Sequence, residues 1–465
     1  MPAWTINNVI RTPLLLLGIV EAIVLFSSVY VGCILMYGDI AASESAIGPI
    51  GPRAAVFAAV IFITLIAMGL YQFHQRLYFR EVVVRLMVGF ALGSIALAAI
   101  YYAIPAIALP RSASLGAVIY SLLAMLVTRF LFVRHVDENI FRCRTLVFGA
   151  GERASAISDL RRKADRRGFK IVGSVPAPGD SDVMDKNGLL IRDKSLCWLA
   201  AELEADEIVI AMDDQRGNLP IRELLDAKLK GVCVIDLMEF LERESGKIRI
   251  DLVKPGWLIF SPGFRTSRFR RFNKRLLDLV LGATTLLVTW PIMLAIAIAI
   301  KFEDGIRAPV FYRQRRVGAN GELFDVIKFR SMIENAEADG GARWAEENDS
   351  RVTKVGAFLR KYRLDELPQV VNVLRGQMSL VGPRPERPEF VEGLSESIPY
   401  YSERHTVKPG VTGWAQLRYS YGASEEDSAE KLQFDLYYVK NQNLFLDLVI
   451  ILQTVEIVLW GKGAR

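Results

Sequence analysis

Four long apolar stretches open the chain, at residues 14–37, 54–73, 86–109 and 113–133. Each is close to the roughly 20 residues that an α-helix needs to cross the hydrocarbon of a bilayer. Hydrophobic residues make up 52% of the sequence, and the surplus lies in these stretches and in one later block. We therefore predict that residues 1–138 form a first domain of four transmembrane helices.

The basic residues around these stretches predict how the block is oriented. Two segments are rich in arginine, one after the second stretch and one after the fourth: Arg76, Arg80 and Arg85, then Arg134, Arg142 and Arg144. The other two loops carry only Arg53 and Arg111. Because basic residues favour the cytoplasmic side, both ends of the block are expected to face the cytoplasm. Glu21 lies inside the first stretch, where a protonated or helix-paired carboxyl is the favoured explanation.

Residues 139–264 have the pattern of an α/β domain. Strand-like apolar runs at residues 145–148, 169–172, 207–210 and 232–235 alternate with helical stretches. The first run leads into Gly149-Ala-Gly151-Glu-Arg-Ala154, which has the GxGxxA spacing of a dinucleotide-binding turn. The alternation predicts a small parallel, Rossmann-like sheet.

A bound dinucleotide such as NAD is less well supported than the fold itself. Dinucleotide sites hold the ribose hydroxyls with an acidic residue near the end of the second strand. Residues 173–178 supply no carboxylate at that place. We therefore favour a structural or regulatory role for this domain, and we keep Gly149, Gly151 and Ala154 as candidate nucleotide contacts.

An apolar block at residues 276–300 lies near the start of the third predicted domain, residues 265–465. Basic residues flank the block on both sides, which conflicts with a simple crossing of the membrane. Pro291 removes a hydrogen bond inside the helix. A re-entrant helix over about residues 274–301, which turns at Trp290 and Pro291 and leaves on the side it entered, satisfies both facts. A plain fifth span is the alternative, and it would place the following residues outside the cytoplasm.

Charge and composition narrow the chemistry of the third domain. The net charge of +6 suits anionic partners such as phosphates and lipid headgroups. Nucleic acid is not favoured as a partner, because the sequence has no basic strand motif with interleaved aromatics. The four cysteines have no CxxC spacing and the three histidines are scattered, so a zinc site is not expected. Carboxylates and arginines are therefore the candidate reactive groups.

The adjacent carboxylates Asp365 and Glu366 are the first candidates. Pro368 is tolerated only in the first turn of a helix, so a helix is predicted to begin near Asp365, with Asp365 as its N-cap. Adjacent side chains on a helix point about 100° apart, which disfavours a paired acid and base. Separate roles fit better, with one carboxylate as a nucleophile and the other as a magnesium ligand. An ordinary N-cap followed by a first-turn acid is the alternative.

Five basic residues near this pair are candidate phosphate contacts: Lys328, Arg330, Arg360, Arg384 and Arg418. Lys328 and Arg330 are two residues apart, so they share one face of a strand. Arg384 lies between two prolines, which restrict its backbone before any ligand arrives. Divalent ions, arginines and helix N-termini are the usual means of stabilising phosphoryl transfer.

Residues 272–465 resemble the bacterial sugar transferase family of monotopic phosphoglycosyl transferases. Ordered motifs carry the resemblance: Lys274-Arg-Leu-Leu-Asp278, Lys328-Phe-Arg-Ser-Met332, Leu364-Asp-Glu-Leu-Pro-Gln369, Gly382-Pro-Arg-Pro385, Lys408-Pro-Gly-Val-Thr-Gly-Trp414 and Asp435-Leu-Tyr-Tyr-Val-Lys440. The four spans and the Rossmann-like domain resemble the longer members. The tail from Ser420 to Arg465 is similar to the subgroup associated with PEP-CTERM/exosortase loci.

The resemblance implies a fold, a reaction and a site. The fold class is a membrane protein of α plus α/β type: a four-helix transmembrane block, a Rossmann-like α/β domain and a C-terminal α/β catalytic domain with a re-entrant membrane helix. Asp365 would attack the sugar-linked phosphate of a nucleoside diphosphate sugar, preferentially a UDP-hexose, and Glu366 would hold Mg²⁺, with Mn²⁺ as an alternative. Undecaprenyl phosphate would then accept the sugar phosphate, near Arg360. Arg418 stands close to the place where small members carry an Asn-Gly-Arg element.

The resemblance also implies a setting. It places the chain in the bacterial inner membrane, with the catalytic domain on the cytoplasmic side, at the first membrane step of exopolysaccharide biosynthesis. Downstream glycosyltransferases are the expected partners, and the middle domain is suited to mediate a homodimer. Two alternatives stay open: a membrane-anchored NAD-dependent nucleotide-sugar dehydratase or epimerase, and a non-enzymatic scaffold for polysaccharide assembly.

Overall fold

The structure is a computed structural model that describes residues 12–68, 70–71, 79–135, 142–160, 168–181, 191, 194–214, 219–253, 255–264, 267–333, 351–419 and 424–460. The chain divides into two compact units, residues 1–235 and residues 236–465. Each unit has buried apolar clusters of its own.

The first unit begins with a block of apolar helices. Their bounds are α1 Thr12–Tyr37, α2 Ile40–Ile47, α3 Ile50–Ala67, α4 Phe79–Ala103 and α5 Arg111–His135. Helices α1, α4 and α5 are each long and apolar enough to cross a membrane. Helix α3, which corresponds to the second predicted span, reaches that length only together with α2, from which it is bent by 88°. The described residues therefore contain three single-helix spans here and one bent pair.

The packing of this block explains its buried charges. Helices α1 and α5 lie so close that a Cβ atom on Gly32 would be 2.4 Å from the carbonyl oxygen of Ala113. The Glu21 carboxylate accepts hydrogen bonds from Arg129 of α5, one of them 2.8 Å long, and from the hydroxyl of Tyr71. Glu21 is therefore a helix-paired carboxyl, as the sequence favoured.

The remainder of the first unit contains a four-stranded sheet. The elements are β1 Cys143–Phe148, α6 Glu152–Ser158, β2 Phe169–Val175, α7 Leu196–Glu202, β3 Glu207–Ile210, α8 Ile221–Leu229 and β4 Cys233–Asp236. The strand order is β2-β1-β3-β4, and β1 pairs in parallel with both β2 and β3. The predicted parallel sheet is confirmed. Its apolar face, around Leu146 and Ile208, is buried under α7 and α8.

The second unit combines helices with two small sheets. Its elements are α9 Leu237–Ser245, α10 Pro255–Phe260, α11 Arg268–Asp304, β5 Phe311–Val317, β6 Leu323–Phe329, α12 Lys354–Lys361, α13 Gln369–Arg375, β7 Ser379–Val381, α14 Pro388–Ser397, β8 Gly410–Thr412, α15 Trp414–Arg418, α16 Glu425–Asn441 and α17 Leu444–Trp460. Strands β5 and β6 form an antiparallel hairpin, and β7 pairs in parallel with β8.

Residues 236–264 belong to this second unit, although we predicted a domain boundary at residue 264. Glu242 of α9 forms a 2.5 Å ion pair with Lys440 of α16. The indole N–H of Trp414 donates to the carbonyl oxygen of Gly246 over 2.8 Å. These polar contacts join residues 198 and 168 positions apart, so no local pattern in the sequence could indicate them.

Helix α11 differs from the predicted broken helix. It runs without interruption from Arg268 to Asp304, with Pro291 inside it. A proline removes one internal hydrogen bond, and the helix continues on both sides of that gap. Trp290 is 55% exposed, and neighbouring apolar side chains around it are exposed as well. The predicted break at Trp290 and Pro291 is therefore absent, and a re-entrant path would need a kink at Pro291 within this continuous helix.

Helix α17 packs within the second unit. Its Asp447 is fully buried and accepts hydrogen bonds from Lys274 over 3.0 Å and from the Tyr438 hydroxyl over 2.7 Å. These hydrogen bonds fix the first turn of α17 inside the second unit.

Candidate active site

The two adjacent carboxylates lie on a short 3₁₀ turn, Leu364–Glu366, between α12 and α13. Arg363, immediately before the turn, has a positive φ of 54°, and Pro368 caps α13. The prediction that Asp365 is the N-cap of a helix is therefore wrong, because α13 begins at Gln369. A 3₁₀ turn has about three residues per turn, so adjacent side chains point roughly 120° apart. The inference that the two carboxylates face different surroundings does not depend on the helix type.

Glu366 is held by two cations. The ammonium of Lys328 lies 3.4 Å from Oε1 of Glu366, and a guanidinium nitrogen of Arg384 lies 3.1 Å from the same oxygen. Burial alone would raise the pKa of Glu366, but Arg384, Lys328 and Arg363 outweigh it and lower that pKa to about 2. Glu366 is therefore a fixed negative charge at any physiological pH.

Asp365 has the opposite tendency. Burial raises the pKa of the Asp365 carboxyl, and the adjacent Glu366 charge adds to this effect, while Lys328, Arg384 and Arg360 oppose it. A carboxylate with a raised pKa is a better nucleophile and a poorer permanent counter-ion than one with a lowered pKa. The electrostatics thus separate the two carboxylates into a reactive group and a fixed charge.

The position of Lys328 is fixed by a residue that the sequence analysis did not single out. Asn372 of α13 is fully buried; its side-chain oxygen accepts from the backbone N–H of Ile327 over 3.1 Å. Its amide donates to the carbonyl oxygen of Asp325 over 2.7 Å. Asn372 therefore ties β6 to the helix that follows the carboxylates. A lone polar residue within the apolar run of α13 was the signal that could have revealed it.

Arg384 lies on a loop held at both ends by the backbone. The N–H of Gly410 donates to the carbonyl oxygen of Pro383 over 2.8 Å. The N–H of Val317 donates to the carbonyl oxygen of Glu386 over 3.0 Å. The loop is thus attached to both small sheets, which supports the expectation that the flanking prolines present Arg384 in a fixed position.

The other predicted basic residues have different surroundings. Arg330 is buried and pairs with Asp304 at the end of α11, and within the described residues its Nε and one Nη have no hydrogen-bond partner. Arg360 lies in the last turn of α12 and contributes to the field at Asp365. Arg418 stacks over the ring of Trp414, 4.2 Å from its centroid. Lys328 and Arg384 are therefore the predicted cations that the structure joins directly to the carboxylate pair.

The glycine-rich turn of the first unit holds carboxylates of the chain itself. The backbone N–H groups of Glu152 and Arg153 donate to the Asp213 carboxylate over 3.2 and 2.8 Å. The N–H of Ala150 donates to Asp180 over 2.8 Å. These donors, beside Gly149, Gly151 and Ala154, are the ones that would bind a dinucleotide pyrophosphate. The residues therefore do not fit a dinucleotide.

A metal ion would depend on substrate for most of its ligands. Among the described residues, no group of three or more His, Cys, Asp or Glu side chains is arranged to hold one. Mg²⁺ is commonly bound by one or two carboxylates together with substrate phosphates and water. Asp365 and Glu366 fit an ion of this shared kind and not a dedicated protein cage.

Comparison with known proteins gives a family match over this unit. The model of the bacterial sugar transferase family matches residues 269–461. The chain is 40% identical over 256 residues to UDP-N-acetylgalactosamine-undecaprenyl-phosphate N-acetylgalactosaminephosphotransferase of Aeromonas hydrophila, covering 54% of this chain and 58% of that protein. It is 31% identical over 328 residues to undecaprenyl-phosphate glucose phosphotransferase of Komagataeibacter xylinus, covering 69% and 60%.

A third relative is matched over more of its length. The chain is 38% identical over 331 residues to UDP-glucose:undecaprenyl-phosphate glucose-1-phosphate transferase of Klebsiella pneumoniae, covering 70% of this chain and 69% of that protein. The chain thus spans about three fifths of the Aeromonas and Komagataeibacter relatives and about two thirds of the Klebsiella one. The tail positions 420–423 and 461–465, which carry part of the similarity to the PEP-CTERM subgroup, lie outside the described residues.

Proposed function

The chain belongs to the bacterial sugar transferase family, and we propose on that basis that it transfers a sugar 1-phosphate from a UDP-hexose to undecaprenyl phosphate. The reaction would be the first membrane step of exopolysaccharide biosynthesis. The observation that carries the proposal is the pair of unlike carboxylates beside two cations: Asp365 with a raised pKa, and Glu366 with a pKa of about 2 between Lys328 and Arg384.

The proposed mechanism has two displacements at one phosphorus atom. An Asp365 oxygen attacks the sugar-linked phosphorus, the bond to the bridging oxygen breaks, and UMP leaves with that oxygen. An oxygen of undecaprenyl phosphate then attacks the same phosphorus, releasing Asp365 and giving a lipid diphosphate sugar. Lys328 and Arg384 are suited to offset the charge of the phosphates during both steps. Bound Mg²⁺ would neutralise charge on the diphosphate, and Glu366 is the residue proposed to hold it.

The remaining predicted residues have proposed roles around this centre. Arg330 has buried donors without a partner among the described residues, which suits a phosphate oxygen. Arg360 is proposed to face the phosphate of the lipid, because its charge acts on Asp365. Arg418, whose guanidinium stacks on the ring of Trp414, is proposed to contact the nucleotide sugar.

The packing of α11 supports a catalytic domain that stays on the cytoplasmic side of the inner membrane. Gly282 packs against α13, and Met293 packs beside Phe329 of β6, so both halves of α11 contact the same compact unit. The helix rises about 16 Å between these two residues, roughly half the thickness of the hydrocarbon. By length and composition α11 is also able to span a membrane, but these contacts and the basic residues at both of its ends support a helix that kinks at Pro291 and returns to the same side.

We further propose that the α/β domain of the first unit takes no dinucleotide. Asp213 and Asp180 already accept from the donors that a pyrophosphate would need. This contact disfavours the alternative of an NAD-dependent dehydratase or epimerase. A structural or regulatory role, including formation of a homodimer, is the proposed alternative.

Purified full-length protein tests the proposed function directly. The assay supplies undecaprenyl phosphate, Mg²⁺ and a panel of UDP-glucose, UDP-galactose and UDP-N-acetylhexosamines, and it measures release of UMP. We expect transfer with at least one donor, its loss in Asp365→Asn, and little change in Asp427→Asn, an acidic residue at the start of α16. Unimpaired transfer by Asp365→Asn would remove the proposed nucleophile. Release of no UMP with any donor, together with turnover of NAD, would favour the dehydratase alternative.

A further inference from the structure

A buried ion pair lies directly behind Arg384. Arg404, on the 3₁₀ turn Tyr401–Thr406, is 5% exposed, and Asp435 of α16 is 2% exposed. An Nη2 nitrogen of Arg404 lies 2.7 Å from Oδ2 of Asp435, and the same nitrogen donates to the carbonyl oxygen of Arg384 over 3.0 Å. The other Nη group donates to the hydroxyl of Tyr401 over 2.7 Å. The guanidinium thus connects α16 to the backbone of the residue that holds Glu366.

This pair is a costly way to stabilise a fold. Removing two charges from water is costly, and a well-packed apolar pair of similar volume is often as stable or more so. Burial raises the pKa of Asp435 to about 6 even beside Arg404. The Nε group of Arg404 has no hydrogen-bond partner among the described residues, which adds to the cost. A role in positioning another residue would explain why this buried pair is present, whereas a contribution to stability would not.

We propose that Arg404, oriented by Asp435, is a positioning residue that fixes the backbone of Arg384 and so sets the place of its guanidinium at Glu366. The contacts form one chain, from Asp435 through Arg404 to the Arg384 carbonyl, and from the Arg384 side chain over 3.1 Å to Glu366. The role belongs to the guanidinium and not to its charge alone. Its planar fork donates in several directions at once, which an ammonium cannot reproduce with the same geometry.

The same helix supplies a matched control. Lys440 of α16 forms a second buried ion pair on this helix, with Glu242 of α9. Glu242 also accepts from the side-chain amide of Asn441, and the Lys440 ammonium lies over the ring of Trp257, so this pair faces α9 and α10. Glu242→Gln therefore disturbs a buried pair on α16 without removing a contact to the Arg384 loop.

A double-mutant cycle tests the proposal, which rests on the transfer activity proposed above. UMP release is measured for Arg404→Lys, Arg384→Lys and the double variant, and the thermal midpoint of each purified protein is recorded. We expect Arg404→Lys to lower kcat about tenfold with KM for the UDP-sugar nearly unchanged, because a small displacement of a catalytic group acts mainly on the transition state. In the Arg384→Lys background the second substitution should change kcat less than about twofold, because its effect passes through Arg384. The change in kcat caused by Glu242→Gln should be the same in the wild-type and Arg384→Lys backgrounds, so the two effects multiply.

Different outcomes would overturn the positioning role of Arg404 and the transfer reaction on which it rests. Multiplicative losses for Arg404→Lys and Arg384→Lys, or a wild-type kcat for Arg404→Lys, would overturn the positioning role. If Arg404→Lys does not fold, Asp435→Asn replaces it in the cycle, with the same non-additive result expected and the same multiplicative result contradicting it. An inactive wild type, or an active Asp365→Asn, would instead overturn the transfer reaction.

Discussion

The length of α11 between its contacts with the second unit bears on which side of the membrane the residues after this helix emerge. Gly282 is buried in the first half of α11, and Met293, in the second half, packs on the cluster that contains Phe329. At 1.5 Å per residue, the rise between them is about 16 Å, against a hydrocarbon thickness of about 30 Å. A complete crossing would need roughly nine more residues in lipid.

A complete crossing would bring a buried polar residue of α11 into the lipid. A span of about 20 residues centred on this segment would draw Asp278 and Ile296 into hydrocarbon. Asp278 accepts from the hydroxyl of Ser379 over 2.9 Å and from the N–H of Leu380 over 3.0 Å. A charged carboxylate in the membrane costs at least about 2.5 kcal/mol, before the lost contacts are counted. We therefore predict that both ends of α11 lie on the cytoplasmic side.

Cysteine labelling in spheroplasts tests this topology. Single cysteines are placed in a background in which Cys33, Cys143, Cys197 and Cys233 are serine. Ile306→Cys, at a side chain that is 87% exposed just after α11, should resist an impermeant maleimide until the cells are permeabilised. Lys170→Cys should behave in the same way, and Glu44→Cys, in the predicted outer loop, should be labelled at once. Immediate labelling of Ile306→Cys would refute the re-entrant helix and move the site outside the cytoplasm.

Three further predictions follow from the charges of the structure. Asp365 must be ionised to attack and burial raises its pKa, whereas Glu366 stays ionised, so kcat for UMP release should fall as the pH is lowered through the pKa of Asp365. Lys328→Met removes a cation that lowers the pKa of Asp365, so it should move this acid limb of the pH profile to higher pH. An unmoved limb would count against the assignment. NAD should produce no saturable heat in calorimetry with the full chain, because Asp213 occupies the donors of the glycine turn, and measurable binding would contradict that assignment. Glu21→Ala should lower the free energy of unfolding by about 3 kcal/mol, since it leaves Arg129 buried without its partner; an unchanged thermal midpoint in detergent would show that this pair is dispensable.

The sequence predicted what depends on local pattern and on hydrophobic length. The first, third and fourth apolar stretches became α1, α4 and α5, and the alternation after residue 142 became a parallel sheet. Lys328, Arg384 and Glu366 were all singled out from their motifs, and the structure brings their charged groups together. The sequence identified these residues by type and motif, and the fold brings them together.

What the sequence could not predict depends on contacts between distant residues. The bend between α2 and α3, the place of α9 in the second unit and the contacts of Asn372 all arise from tertiary packing. Asp365 had the residue type of an N-cap, but Arg363 adopts a left-handed conformation that makes a separate 3₁₀ turn and delays α13 to Gln369. Competing backbone conformations of this kind are decided by the surrounding fold and not by local preference.

The charge network of the glycine turn gives the same lesson. Its GxGxxA spacing is typical of a nucleotide site, and the spacing alone cannot reveal that the donors are already used. Asp213 comes about sixty residues later in the chain and accepts from Glu152 and Arg153. A Cβ atom on Gly151 would lie 1.8 Å from Asp213, so here the glycine admits a carboxylate of the chain.

The proposed reaction depends on a covalent bond between Asp365 and the sugar phosphate. Mass spectrometry detects that bond in the full-length protein, quenched after incubation with a UDP-sugar and Mg²⁺ in the absence of undecaprenyl phosphate. We predict a mass increase equal to one hexose phosphate on the peptide that contains Asp365, its disappearance when undecaprenyl phosphate is added, and its absence from Asp365→Asn. An adduct on another residue, or rapid transfer to lipid by an enzyme that never carries an adduct, would contradict the covalent mechanism.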